Sequence, residues 1–368
     1  RYVFIISLIY FFSLVINADS NIKKLILPEG FEISVFAEGL ESPRQITETD
    51  AGHIIVGSKN GNEIFAILDQ KKTKILIADG LQNPTGVVFF EGDLYFSEID
   101  TIWIIKNIDE WLSADINNLN LPEKKIFMND LPSETWHGYK YLDFGPDGNL
   151  YIPVGVPCNI CLEPQTKDNR FAAIHKYVDG ELITVADGVR NSVGFDWHPV
   201  TKKLYFSDNG RDWLGDNSPS CELNVVHKDG GFFGYPYKHA KDVIDPEFGK
   251  LIPTLNKELI DPIAELGPHV APLGIAFYDK DIFPEKYKNS LFIALHGSWN
   301  RSEKSGYKVI FIKLDENGNY ISQEDFITGW LDGQNAWGRP VSPFIMSDGS
   351  MLISDDKYDV IYKVEYKG

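Results

Sequence analysis

One unit recurs six times along the chain, and this repetition constrains the fold more than any other feature of the sequence. The unit is plainest at 186–216, ADGVRNSVGFDWHPVTKKLYFSDNGRDWLGD. An apolar run closes on Asp187-Gly188, the polar pair Arg190-Asn191 opens an alternating segment at 192–197, and a turn at 198–203 returns the chain as 204–208. Turn residues of the same kind lie around 51–52, 91–93, 146–148, 288–289 and 347–349. Each precedes a β-rich return strand, at 53–57, 94–97, 150–154, 204–208, 291–295 and 351–355. A third strand follows in every unit, at 63–67, 102–106, 173–177, 222–226, 308–314 and 360–366, and a fourth at 74–79, 125–129, 182–187 and 325–330. Six equal units predict an all-β fold, a six-bladed β-propeller rather than an open sandwich. Segment 31–38 precedes the first unit and the chain ends on a third strand, so 31–38 is expected to complete the last blade and close the ring. The stretch 226–266 conceals any fourth strand of the fourth unit.

Residues 2–16 carry no charge and are followed by Asn17-Ala18-Asp19. That run is short for a membrane span of ~20 residues and ends near a small residue, so a signal peptide over 1–18 is expected, with an uncleaved anchor as the alternative. Residues 19–368 then form one propeller domain, periplasmic or secreted, without a further membrane span. With 35 Lys+Arg against 53 Asp+Glu the formal charge is −18, which argues against nucleic acid or anionic lipid as a partner. Of the three cysteines, Cys158 and Cys161 suit a loop clip in an oxidising compartment, which leaves Cys221 unpaired. Haem attachment is excluded because Leu162 stands where a histidine is required.

In a propeller the first strand of each blade lines the central channel, so the residues at its start ring one mouth. Those positions read Pro43-Arg44, Pro84-Thr85, Trp136-His137, Arg190-Asn191, Pro268-His269 and Gly338-Arg339. The ends of the return strands add Lys59, Glu98, Gly155, 208–211, His296 and Asp355-Asp356. Three of the eight histidines and several cations of an acidic chain are thereby expected at one concave mouth, where an anionic polycarboxylate would be held. His137 is a candidate general base, since a neutral imidazole with a pKa of ~6.5 needs little tuning. Trp136, Trp213, Trp299 and Trp337 fall beside the same loops and offer stacking surfaces for a flat cofactor or a sugar. The loop 208–212, Asp-Asn-Gly-Arg-Asp, combines carboxylates with a glycine that exposes main-chain carbonyls, which suits Ca²⁺; a solvated acidic loop reads the same way.

These residues resemble the glucose/sorbosone dehydrogenase family, six-bladed propellers that use pyrroloquinoline quinone (PQQ) and Ca²⁺. The resemblance rests on His137-Gly138 with FGPDGNLY at 144–151, GVRNSVGF at 188–195, DNGRDWLGD at 208–216, GPHVAPLG at 267–274 and LHGSWNR at 295–301. The sorbosone-dehydrogenase-like branch is the nearer, including PCNIC at 157–161. The resemblance implies His137 as general base and Arg190 with Asn191 beside the quinone. It further implies Gly210 and Arg211 as carbonyl ligands of Ca²⁺ and Arg339 on a cofactor carboxylate. Lys59, His269 and His296 complete the expected cofactor contacts. Trp136, His296, His269 and Val341 stand where soluble glucose dehydrogenases have Asp, Lys, Thr and Arg, which puts glucose in doubt as the substrate. If His296 pairs with a quinone carboxylate, quinone affinity is expected to weaken as pH rises through its titration. The implied reaction oxidises a sugar or sugar-derived aldehyde by hydride transfer, with a separate electron acceptor. A Ca²⁺-dependent lactonase-type hydrolase and a non-catalytic carbohydrate-binding propeller are the alternatives.

Overall fold

The computed structural model describes residues 21–68, 73–114 and 120–368. The expected signal segment 1–18 lies outside them. Six sheets are arranged as the repeat predicts, the first three strands of each being consecutive and antiparallel and running outward from the axis. Blade 1 comprises Pro43–Glu48, Ile54–Ser58, Ile64–Leu68 and Thr73–Ala78, and blade 2 comprises Val87–Phe90, Asp93–Ser97, Ile102–Ile105 and Lys125–Met128. Blade 3 runs Asp143–Phe144, Leu150–Val154, Ala173–Val178 and Glu181–Asp187. Blade 5 runs Pro272–Tyr278, Ser290–Leu295, Lys308–Leu314 and Tyr320–Ile327. Blade 6 runs Pro340–Ile345, Met351–Asp355 and Val360–Tyr366, and its outer strand is the N-terminal Phe31–Glu38. Phe31 is paired with Tyr366 and Glu38 with Val360, so the strand that begins the described fold closes the ring as expected.

Blade 4 corrects the sequence reading. Behind Phe195–Trp197, Leu204–Asp208 and Ser220–Val225 its fourth strand is Ala264–Pro268, after an insertion of some forty residues that contains three short strands on other partners. One of these, Gly231–Phe232, pairs in parallel with Glu181–Asp187 and gives blade 3 a fifth strand. Pro268-His269 therefore ends blade 4 instead of starting blade 5. Periodicity missed this because insertion and strand are both rich in Pro, Gly and charge.

The return strands are buried along their whole length, because each is covered by the neighbouring blade on both faces. Their composition accordingly reads as a continuous apolar run rather than an alternating one. The outermost strand Tyr320–Ile327 is exposed over its first six residues. The closing strand is pinned by Phe31, whose ring meets Phe283 at 4.8 Å and Phe326 at 5.1 Å edge-on. Burying that ring contributes about 1.5–3 kcal/mol.

Blades 2, 4 and 6 share a further device. Their return strands end in Ser followed by an acid: Ser97-Glu98, Ser207-Asp208 and Ser354-Asp355. Each serine donates to a carbonyl of the next blade or the link into it, Ser207 to Leu273 at 2.8 Å, Ser354 to Arg44 at 2.6 Å and Ser97 to Lys140 at 3.3 Å. Each acid accepts main-chain N–H groups at the entrance to its own blade. Glu98 takes Gln82, Asp208 takes Arg190 and Asn191, and Asp355 takes Arg339. The backbone around the mouth is thus fixed by the same strand ends that lock neighbouring blades.

Candidate active site

The links entering the first strands and those leaving the return strands meet at one mouth of the ring, around a cavity of about 270 Å³. Eight of the nine residues singled out from the sequence line it: Lys59, His137, Arg190, Asn191, Gly210, His269, His296 and Arg339. Arg211 does not. Its guanidinium instead pairs with Asp245 of the blade 4 insertion at 2.5 Å, where His239 also meets Asp245 at 2.9 Å.

His137 stands in the link into blade 3 with φ at 52°, in the left-handed region. Gly155, at the end of the blade 3 return strand, makes room for it: a Cβ there would lie 2.7 Å from the His137 Cβ and 2.9 Å from Asn191 Oδ1. His137 Nδ1 is 2.9 Å from the Val156 carbonyl. A carbonyl only accepts, so Nδ1 carries the proton and Nε2 of the neutral ring is the basic atom. Burial, reinforced by the Arg190 charge, holds the imidazole pKa down at about 3, so the ring is neutral throughout the physiological range.

Arg190 is buried with four of its five N–H donors engaged. Nε donates to Asn159 O at 3.0 Å, Nη1 to Asn209 O at 3.2 Å, and Nη2 to Asn159 Oδ1 at 2.9 Å and Asp212 Oδ2 at 3.4 Å. Asn159 is itself held in the loop clipped by a Cys158–Cys161 disulfide, and Tyr235 OH accepts the Cys161 N–H at 2.9 Å. The cysteine pair is therefore the structural clip that its spacing suggested. Cys221 is free and buried against the cavity. Opposite, Arg339 donates Nε to His296 O at 3.1 Å and Nη2 to Gly297 O at 2.7 Å, with its guanidinium 5.6 Å from the Tyr307 ring centre.

His296 departs from expectation. Its Nε2 lies 2.7 Å from Asp356 Oδ1, and the other Asp356 oxygen takes Arg44 Nη2 at 2.8 Å. Burial outweighs Asp356 and lowers the His296 pKa to about 4, so the ring is not the cationic substitute for lysine that its position suggested. Arg44 supplies the charge on that side. With Lys59 it flanks the Tyr139 ring, at 5.5 and 5.8 Å from the ring centre. Burial, and then Arg44, lower the Lys59 pKa. His269 follows the fourth strand of blade 4, with Nε2 2.8 Å from Gly215 O.

The loop 208–212 offers main-chain rather than side-chain oxygens. Both Asp208 oxygens are occupied by the Arg190 and Asn191 N–H groups, and burial raises its pKa to about 6. Neither the Gly210 nor the Arg211 carbonyl accepts a hydrogen bond from the described residues, so both are available to a hard cation. Among the described residues no three His, Cys, Asp or Glu side chains converge as a metal shell.

Sequence reasoning placed Arg44 and Asp356 at the mouth but selected neither, and it missed Tyr139 and Asn159 as parts of the site. Arg44 was legible from its place in the repeat, equivalent to Arg190 and Arg339. Asn159 left no such signal, because an insertion carries it in.

The TrAA12-like family model matches residues 254–366. An uncharacterised protein of Borreliella burgdorferi is 38% identical over 363 residues, covering 96% of this chain and 94% of that protein. A pyrroloquinoline quinone-dependent pyranose dehydrogenase of Coprinopsis cinerea is 24% identical over 335 residues, which make up 77% of this chain but only 44% of that enzyme. The calcium structure of a Trichoderma reesei protein of carbohydrate-active enzyme family AA12 superposes with a TM-score of 0.75 at 18% identity, over 93% of this chain and 97% of that one. The chain belongs to one family with the B. burgdorferi protein, and it shares the fold of the T. reesei structure.

Proposed function

We propose that the protein is a PQQ- and Ca²⁺-dependent oxidoreductase that oxidises a sugar or sugar-derived aldehyde at a C–OH carbon. One observation carries the reading. In a chain of net charge −18, the cavity is lined by four cationic side chains, Arg44, Lys59, Arg190 and Arg339, against a single carboxylate, Asp212. Such a cluster suits a compact polycarboxylate. Arg44 Nε is buried without a partner, an unsatisfied donor that costs about 1–3 kcal/mol unless a ligand meets it. The free Gly210 and Arg211 carbonyls suit Ca²⁺, and the names of the C. cinerea and T. reesei relatives agree with both groups.

When bound, PQQ supplies the hydride acceptor and Ca²⁺ a Lewis acid at its carbonyl. His137 Nε2 takes the proton of the substrate hydroxyl, with its Nδ1–H held on Val156 O so that the base stays in one tautomer. Arg190 offers its remaining N–H to charge that develops beside it. Arg44, Lys59 and Arg339 hold ligand carboxylates, with Asn191 as a neutral donor. Each turnover leaves two electrons on the protein, so a separate acceptor completes the cycle. The disulfide favours an oxidising compartment, the periplasm or the outside of the cell. No helix among the described residues is long and apolar enough to cross a membrane.

A hydrolase of the lactonase type would gather several carboxylates on its metal, and the basic lining speaks against it. The test is dye reduction over a panel of aldoses and aldehydes, with and without PQQ and Ca²⁺. Activity that appears only with both supports the reading; no gain with any substrate overturns it.

A further inference from the structure

Three indole rings stand exposed around the mouth: Trp136 at 51%, Trp213 at 67% and Trp299 at 62%. A soluble chain gains nothing by leaving tryptophan in water, and such surface usually marks a binding site. Trp299 lines the cavity, and Trp136 adjoins the base, with its ring centre 5.6 Å from that of His137. Trp213 and Trp299 meet edge to face, with ring centres 5.6 Å apart and planes at 84°. Each therefore keeps a face open while the pair forms a corner.

The corner is built rather than incidental. Trp213 has φ at 70°, a conformation that costs a bulky residue of order 1–3 kcal/mol and persists only where the surroundings enforce it. Here they do. The loop of Trp213 is tied to the loop of Trp299 by Trp213 N–H on Asn300 Oδ1 at 3.0 Å, Ser302 N–H on Asp216 Oδ1 at 3.0 Å and Arg301 Nη1 on Asp216 O at 2.5 Å. His269, inside the cavity, fastens the same loop through Gly215 O. The two rings are held in register with the site before any ligand arrives.

We infer that this rim is a saccharide subsite, and that the substrate is the terminal ring of an oligosaccharide whose adjoining pyranose stacks on Trp213 and Trp299. This rests on the proposed sugar oxidation at the cavity and names its substrate more narrowly. The cavity lies at the small end of ligand sites, so a cofactor in it leaves the rim to carry the rest of the substrate. Two indoles offer at most about 500 Å², too little for a stable protein interface of ~1,200 Å² or more. The net charge of −18 opposes an anionic membrane. Asn300, whose Oδ1 accepts the Trp213 N–H, adds a side-chain amide beside the corner.

The first test needs no cofactor. Tryptophan fluorescence and calorimetry of the full chain would be recorded with cellotriose, maltotriose, xylotriose and chitotriose, each against its own monosaccharide. At least one trisaccharide is expected to quench emission and bind about tenfold more tightly than its monosaccharide, a difference of ~1.4 kcal/mol. Trp213→Ala is expected to reduce the ratio of those two affinities about tenfold, and Trp213→Phe to restore most of it. If no trisaccharide outbinds its monosaccharide, or if the ratio survives Trp213→Ala in a protein with unchanged circular dichroism, the rim is not a sugar subsite. With PQQ and Ca²⁺ added, equal turnover of monosaccharide and trisaccharide would remove the rim and leave the oxidation standing. Trisaccharide binding lost in Trp213→Ala, with no sugar reducing the dye, would uphold the rim and remove the oxidation.

Discussion

Asn159 is expected to matter to turnover out of proportion to its place in a surface insertion. Its Oδ1 accepts both Arg190 Nη2 at 2.9 Å and the Asp212 N–H at 2.8 Å, and its Nδ2 donates to Asp212 O at 3.1 Å. Asn159→Ala removes all three and keeps only the main-chain bond from Arg190 Nε. A hydrogen bond to a charged partner contributes about 1.5–3 kcal/mol and a neutral one about 1, so the three sum to roughly 3.5–5 kcal/mol. Asn159 is half-buried, so water recovers part of this and about 2.5–3 kcal/mol remains. If that loss falls on the orientation of Arg190 during hydride transfer, kcat drops about 10²-fold. The assay is dye reduction after reconstitution with PQQ and Ca²⁺, with kcat and KM separated and thermal unfolding as the stability control. Asn159→Asp keeps an acceptor for Arg190 and is expected to recover most of kcat. A kcat within threefold of the parent in Asn159→Ala would refute the role, whatever the melting temperature does.

Four further outcomes are expected. His137→Ala should cut turnover ~10²–10⁴-fold while PQQ affinity, measured by titration, stays near normal; near-normal turnover would remove His137 from the mechanism. Because the His137 pKa is depressed from 6.5 to about 3, its neutral form is present above the titration and lost only as pH falls through it. The acid limb of kcat/KM should therefore fall well below pH 6.5, and a limb centred there would contradict the burial of the ring. Quinone affinity should be flat from pH ~5 to ~9, where an imidazole with its pKa near 4 is already neutral, and a decline across that window would restore His296 as a cationic contact. Chelation should abolish activity and Ca²⁺ should restore it better than Mg²⁺, since carbonyl oxygens form an irregular shell that Mg²⁺ resists; full activity in a metal-free preparation would end the Ca²⁺ assignment.

The amino-acid sequence alone determined the ring. Six turns each followed by a return strand and a third strand, continuous apolar return strands and an unmatched first strand leave little but a closed propeller, because edges must be paired and each return strand covered on both faces. The same repeat carried Arg190, Asn191 and Arg339 to the mouth, since a residue's level follows from its register in the unit. What the repeat does not index, only the tertiary structure decided. Asn159 reaches Arg190, and Asp245 captures Arg211, from insertions whose paths no period describes. The fate of His296 depended on Asp356, sixty residues away on the neighbouring blade, and on the depth of its burial. Charge and tautomer are properties of an environment, and that environment is assembled only when the blades close.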